Sequence, residues 1–216
     1  LTMTGGAYLL FSTYGDPTTS RRVFLLFTVV TALAMTRIVY LYYLPVLLLG
    51  CAQMRIFNFK TFLAATMGII TPPWIMLGSG LVDINDLEMP GLAVPMLDID
   101  DFATITMLAV TAFTVIAGVT FTSANLIKVY SYNSQTRAMN GFYTVLFLST
   151  ALLTIIDFNN LSLYMPLLMA MVSYQASHFF SIRATSPRSW IGIALFMAMY
   201  WGSYIWYTWF IPQNPA

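Results

Sequence analysis

Residues 102–127 read FATITMLAVTAFTVIAGVTFTSANLI, an apolar stretch without a charged side chain that ends at Lys128. A helix needs about 20 apolar residues to cross the hydrocarbon core of a bilayer, and this stretch exceeds that length. It therefore predicts a transmembrane helix.

The composition of the whole chain supports this interpretation. The chain has 216 residues, of which 59% are hydrophobic and 8% are charged, whereas a soluble domain has about 25% charged residues. A net charge of +1 without a basic stripe argues against a nucleic-acid partner. We predict an all-α integral membrane protein whose main partner is the lipid bilayer.

Seven further apolar segments make a polytopic helical bundle the expected fold, with residues 1–216 as one transmembrane domain. The chain begins at Leu1 inside an apolar segment that lacks the basic start of a signal peptide, so we expect the N-terminus to be truncated. The other segments are Leu1–Tyr14, Val23–Met35, Ile38–Met54, Thr61–Leu81, Gly141–Ile156, Leu161–Ile182 and Trp190–Phe210.

The basic residues predict the orientation. Connections 15–22, 55–60, 128–139 and 183–189 hold every Lys and Arg except Arg37, whereas the loop 82–101 and the turn 157–160 hold acids and no base. Because Lys and Arg accumulate in cytoplasmic loops, we expect the basic loops to be cytoplasmic. The acidic loop and the C-terminus would then lie outside.

Two of the segments are too short to be ordinary spans. Val23–Met35 would rise only about 20 Å as a helix, against a hydrocarbon core of about 30 Å. Basic clusters precede this segment and follow Ile38–Met54, so an even number of crossings must separate them. We predict a hairpin of short helices that turns near Arg37, with its depth in the membrane left open.

The two halves resemble each other. YLPVLL at Tyr43–Leu48 is similar to YMPLLM at Tyr164–Met169, and Thr-Ala-Leu precedes each of them. Units 1–81 and 102–210 would form a parallel four-plus-four repeat, an arrangement known among transporters. The alternative is that apolar helices resemble one another through composition alone.

Arg37 lies near membrane depth, where a charge is costly unless it is paired or hydrated. With Tyr40 and Tyr43 it is a candidate site for an anion or a lipid headgroup, and in the repeat its counterpart is Asp157. We expect it to pair with Asp157, with a carboxylate of the acidic loop, or with a phosphate. The alternative is an arginine that extends to the outer interface.

The loop 82–101 supplies the candidate carboxylates. They suit a divalent cation or acid–base catalysis, but their spacing fits no calcium-loop pattern, and a solvated outer loop is the alternative. One cysteine, Cys51, and one histidine, His178, build no metal or redox motif, so no metal or cofactor is predicted. The candidates are Asp83, Asp86, Glu88, Asp98, Asp100 and Asp101.

RIFNFKTFL at Arg55–Leu63 and GIITP at Gly68–Pro72 resemble an uncharacterised family of multi-pass bacterial inner-membrane proteins. The basic loop Lys128–Arg137 and the stretch Pro166–Leu168 are similar as well. The resemblance implies a location in the bacterial cytoplasmic membrane and no known activity.

Three functions remain open. The leading hypothesis is a non-catalytic subunit or scaffold of a membrane assembly, because no convergent titratable residues are evident inside the helices. The second is a transporter or lipid flippase, suggested by the repeat and by helices that contain proline. The third is a membrane-embedded transferase for a lipid-linked substrate, with an outer-loop carboxylate as base and Arg37 on a phosphate.

Overall fold

The computed structural model describes residues 2–16, 19–82, 102–128, 132–181 and 187–210. These ranges contain eight α-helices and no strand, which confirms the all-α prediction. Each helix falls on one predicted apolar segment. The helices are α1 (Thr2–Phe11), α2 (Ser20–Thr36), α3 (Leu44–Gln53), α4 (Phe59–Gly78), α5 (Phe102–Ile127), α6 (Ser134–Ile156), α7 (Leu161–Ser181) and α8 (Pro187–Phe210).

Three helices have the length and composition needed to cross a membrane. In α4, α5 and α6 the candidate spans are Phe59–Gly78, Ile105–Ile127 and Ser134–Ile156. The start of α6 corrects the predicted loop 128–139, since the helix begins seven residues before the apolar segment does. Asn133 explains this early start, because its side chain accepts a 2.8 Å hydrogen bond from the Thr136 N–H and caps the helix.

The predicted break near Arg37 is confirmed. Helix α2 ends at Thr36, Arg37 is extended with φ −146° and ψ 107°, and a short 3-10 helix, Ile38–Tyr43, leads into α3. Pro45 follows within the first two positions of α3, where its missing N–H breaks no helical hydrogen bond.

The chain folds back at this break. Helix α2 rises about 25 Å, and the 3-10 helix and α3 together rise about 27 Å. The Gly15 N–H donates a 3.3 Å hydrogen bond to the Met54 carbonyl, so the end of α3 returns to the level at which α2 begins. The predicted hairpin of short helices is therefore present.

A second hairpin has the same local design. Helix α6 ends before Asp157, which has φ −121° and ψ 62°, and a 3-10 helix, Phe158–Asn160, leads into α7. The first hairpin contacts it through a 3.3 Å hydrogen bond from the Tyr43 hydroxyl to Thr150 Oγ1.

The core lies between the two hairpins, and apolar side chains also cover the outside. Phe27, Phe142, Phe147 and Leu168 are fully buried. On the outer faces large apolar side chains are exposed, including Trp74, Ile116 and Trp201. Such an exterior suits lipid better than water.

Close packing of α2 on α4 depends on Gly68. A Cβ at this position would lie 2.7 Å from the carbonyl oxygen of Phe24 and 2.9 Å from the Cβ of Phe27. Neither atom can rotate away, because one belongs to the backbone and the other is bonded directly to it. Gly78, on the same helix, has open space around it.

We expect Gly68→Ala to destabilise the protein by about 1–3 kcal/mol, because the new methyl group forces α2 and α4 apart. Gly78→Ala is the matched control, and it should be neutral or stabilising by up to about 1 kcal/mol because alanine favours helix. Thermal unfolding of both variants in one detergent measures the difference. Equal stability of the two variants would contradict the close approach at Gly68.

Candidate functional site

Arg37, the first candidate residue, lies at the tip of the first hairpin. Its side chain is exposed, and its guanidinium has no hydrogen bond or ion pair to any residue that the structure describes. The structure therefore does not bring Arg37 and Asp157 together. The candidate loop carboxylates, between positions 83 and 101, lie outside the described residues, so pairing with them or with a phosphate stays a prediction.

Asp157 has its own partners in the second hairpin. It is 3% exposed, and its carboxyl oxygens accept hydrogen bonds from the Asn160 amide at 3.0 and 3.1 Å and from the Tyr164 hydroxyl at 2.8 Å. Asp and Asn are typical of such turns because their short side chains bond to neighbouring groups. The carboxyl group is thus satisfied within a few residues of itself.

Two tyrosines direct their hydroxyls into this end of the bundle. Tyr43 reaches Thr150, and Tyr164 reaches Asp157; both side chains are buried. Tyr40 is half-buried and shares no such bond in the described chain. Tyr164 was not among the candidates predicted from sequence, although it occupies the position of Tyr43 in the similar Tyr-x-Pro stretches.

The chemistry available at this end is hydrogen bonding that closes a turn. The hydroxyls and the carboxyl group contact one another or helix carbonyls, and the Thr150 hydroxyl itself donates to the Leu146 carbonyl at 2.7 Å. Among the described residues no group of three His, Cys, Asp or Glu side chains has the geometry to hold a metal ion.

The opposite end of the bundle carries a cavity with two arginines. Arg55 follows α3 and Arg137 lies in the first turn of α6, and both line an open cavity of about 330 Å³. The two predicted basic loops thus each contribute residues to one cavity, while the side of the membrane on which they lie stays a prediction. The lining residues are Gln53, Arg55, Ser134, Arg137, Ala138 and Gly141.

Arg55 has an uncommon backbone conformation. Its φ of 59° makes it the one non-glycine residue with positive φ in the described part of the chain. The Arg55 and Ile56 N–H groups donate to the carbonyls of Ala52 and Cys51, which is the pattern of a Schellman cap. Glycine usually occupies this position, because a side chain there costs about 1–2 kcal/mol.

Polar side chains are buried between α5, α6 and α7 near the same end. The Asn125 amide donates to Gln175 Oε1 at 2.7 Å and to the Gln175 carbonyl at 3.0 Å, and the Gln175 amide lies 3.4 Å from Thr144 Oγ1. Asn140 is fully buried, and neither its amide nitrogen nor its oxygen has a partner in the described chain. A buried unpaired amide is uncommon in native proteins.

The chain matches no family model, no curated protein and no solved structure. Its function must therefore be inferred from its own residues.

We expect Arg55→Gly to be more stable than Arg55→Ala by about 1 kcal/mol, because only glycine removes the steric cost of the left-handed conformation. Both variants lose the guanidinium, so the comparison isolates the backbone from the side chain. Thermal unfolding in detergent provides the measurement. A more stable alanine variant would show that residue 55 does not hold this conformation.

Proposed function

We propose that the chain is a polytopic membrane protein in which all eight apolar segments enter one bilayer. Three helices of spanning length and an apolar exterior support this proposal. The shared hairpin design also supports units 1–81 and 102–210 as a parallel repeat, although the packing partners differ: α2 packs on α4, whereas α8 packs on α5.

The starts of the even-numbered helices support the proposed orientation. All four carry a base and no acid within their first four residues: Arg21 and Arg22, Lys60, Arg137, and Arg188. The helix dipole disfavours positive charge there, so local helix stability does not explain the pattern. The positive-inside rule accounts for the pattern if the starts of these helices lie in the cytoplasm and the acidic loop lies outside. The sequence resemblance favours the bacterial cytoplasmic membrane.

As the function we propose a non-catalytic subunit or scaffold of a larger membrane assembly. The observation that carries it is the attachment of α8 by one narrow stripe, spaced every four residues. Phe196 packs on Phe113 and Phe121 of α5, and the Tyr200 hydroxyl donates to Thr114 Oγ1 at 3.0 Å. Most other described side chains of α8 are exposed.

The free face of α8 fits a transmembrane helix of another subunit. Ala194, Ala198 and Gly202 are exposed and also recur every four residues, on the side opposite to the α5 contact. Small residues at this spacing let two helices approach closely in lipid. Residues 190–210 carry no charge, so the expected partner surface is apolar.

A transporter or lipid flippase is the second candidate. The observation that favours it is the buried polar cluster of Asn125, Asn140 and Gln175, because polar groups inside a membrane bundle often mark a substrate path. Most of these groups bond to each other, which is also what helix packing requires. Asn140 is the exception that keeps this candidate open.

The orientation can be tested with single cysteines placed at Phe57, Gln135 or Asp86. Cys51 is the single cysteine of the chain, so Cys51→Ala gives a background without a competing thiol. With an impermeant thiol reagent on intact cells, we expect Asp86→Cys to be labelled and the other two only after the membrane is permeabilised. Labelling of Phe57→Cys or Gln135→Cys on intact cells would reverse the orientation.

The subunit proposal can be tested by enlarging the small stripe. We expect Ala194→Leu with Ala198→Leu to lower recovery of a stoichiometric partner at least tenfold, because leucine blocks close helix approach. Chain abundance should not change. Ala112→Leu, an exposed alanine on α5, is the matched control and should retain the partner.

A photo-crosslinker at Ala198 identifies the occupant. One adduct of defined mass, lost when Ala194→Leu is combined with the crosslinker, would support a hetero-subunit. An adduct of two copies of this chain would indicate self-association, and crosslinks to lipid alone would argue against a subunit and favour the transporter.

A further inference from the structure

We propose that the cavity between the end of α3 and the start of α6 binds the phosphate group of an anionic ligand. Two arginines from separate segments, Arg55 and Arg137, line this one cavity, and both side chains are exposed. Neither arginine side chain forms a hydrogen bond or an ion pair with any residue that the structure describes. Like charges repel when they are brought together, and a shared anion removes that repulsion.

The backbone conformation of Arg55 indicates that the anion site requires a side chain at this position. The position after α3 favours glycine, yet an arginine occupies it with a left-handed backbone. Backbone strain of this kind concentrates at functional sites. The hydrogen bonds of the cap fix the Arg55 backbone at the edge of the cavity.

Arg137 approaches the cavity from the start of α6. It lies near the positive end of the α6 dipole, where an arginine is unfavourable and an anion is favoured. The Asn133 side chain already satisfies the Thr136 N–H, while Ser134, which carries a hydroxyl, begins α6 and also lines the cavity. The Arg137 N–H donates to the Asn133 carbonyl, so the N–H groups of Ser134 and Gln135 are the ones left without an intrahelical acceptor. An anion in the cavity would meet a guanidinium, a serine and the helix N-terminus together.

A phosphate suits this set better than a carboxylate does. It offers several acceptor oxygens, so that two arginines from different directions and the start of a helix can each contact one. The group can belong to a lipid headgroup or to free phosphate. The cavity exists whichever side of the membrane it faces and whether or not α8 binds a partner, so this inference stands apart from the proposed function.

The test uses the purified full-length chain in detergent and native mass spectrometry. Three probes are titrated: phosphatidylglycerol, an uncharged glycosyl diacylglycerol with the same acyl chains, and inorganic phosphate. We expect phosphatidylglycerol to bind at least tenfold more tightly than the glycolipid. Saturation by inorganic phosphate with no preference between the two lipids would identify free phosphate as the source.

The variants separate the cavity from general surface charge. Arg137→Gln and Arg55→Gly should each weaken binding of the preferred probe at least tenfold, and glycine suits the backbone at position 55, so the second variant should fold. Lys60→Gln removes one charge beside the start of α4, outside the cavity, and should change binding less than twofold. Equal losses in all three variants, or no preference for any phosphate-bearing probe, would overturn the proposal.

Discussion

The structure depends on how the backbone is satisfied at the two helix breaks. In lipid an unpaired N–H or carbonyl group costs several kcal/mol, so a chain cannot leave a helix without local replacement bonds. At the first break the Arg37 N–H donates to the Leu33 carbonyl, and the Tyr40 N–H donates to the Arg37 carbonyl. At the second, Asp157 and Asn160 form the same pair of bonds with Leu153 and Asp157. Each hairpin can therefore turn inside an apolar medium.

Several polar side chains of the interior follow the same constraint, whereas the buried hydroxyls of Thr31 and Thr122 have no partner in the described chain. The hydroxyls of Thr111, Thr114 and Thr144 donate to the carbonyl four residues earlier, so these buried donors are satisfied within their own helix. Asn125 and Gln175 satisfy each other between helices. Hydrogen bonds of this kind hold helices together, which suits the proposed role as a structural subunit. Among the buried side-chain amides of the described chain, that of Asn140 has no hydrogen-bond partner for either its nitrogen or its oxygen.

Sequence patterns predicted the helices better than the contacts between them. The bounds of α5 were predicted because a charge-free run stops at Lys128, and the break at Arg37 followed from length arithmetic. The start of α6 was missed because its first turns are polar and their helical state depends on the Asn133 cap. Contacts between distant residues were harder, because residues close in sequence compete for the same polar groups. Asp157 was one of the expected partners of Arg37, but Arg37 is exposed and Asp157 is buried with partners from its own turn. Asn160 and Tyr164, three and seven residues from Asp157, reach its carboxyl group at a much smaller entropic cost.

The first turns of the even-numbered helices show which free-energy cost dominates in such a chain. A base at a helix N-terminus costs about 0.3–1 kcal/mol through the dipole, and a soluble helix avoids that cost by placing acids there. Moving the same base to the middle of the bilayer costs at least about 2.5 kcal/mol. Burial of a base in the bilayer thus costs more than its unfavourable position at a helix N-terminus, and the proposed topology keeps these bases outside the hydrocarbon core. An anion near those N-termini stabilises both the base and the helix dipole, so phosphate-bearing headgroups are natural neighbours of this end of the protein.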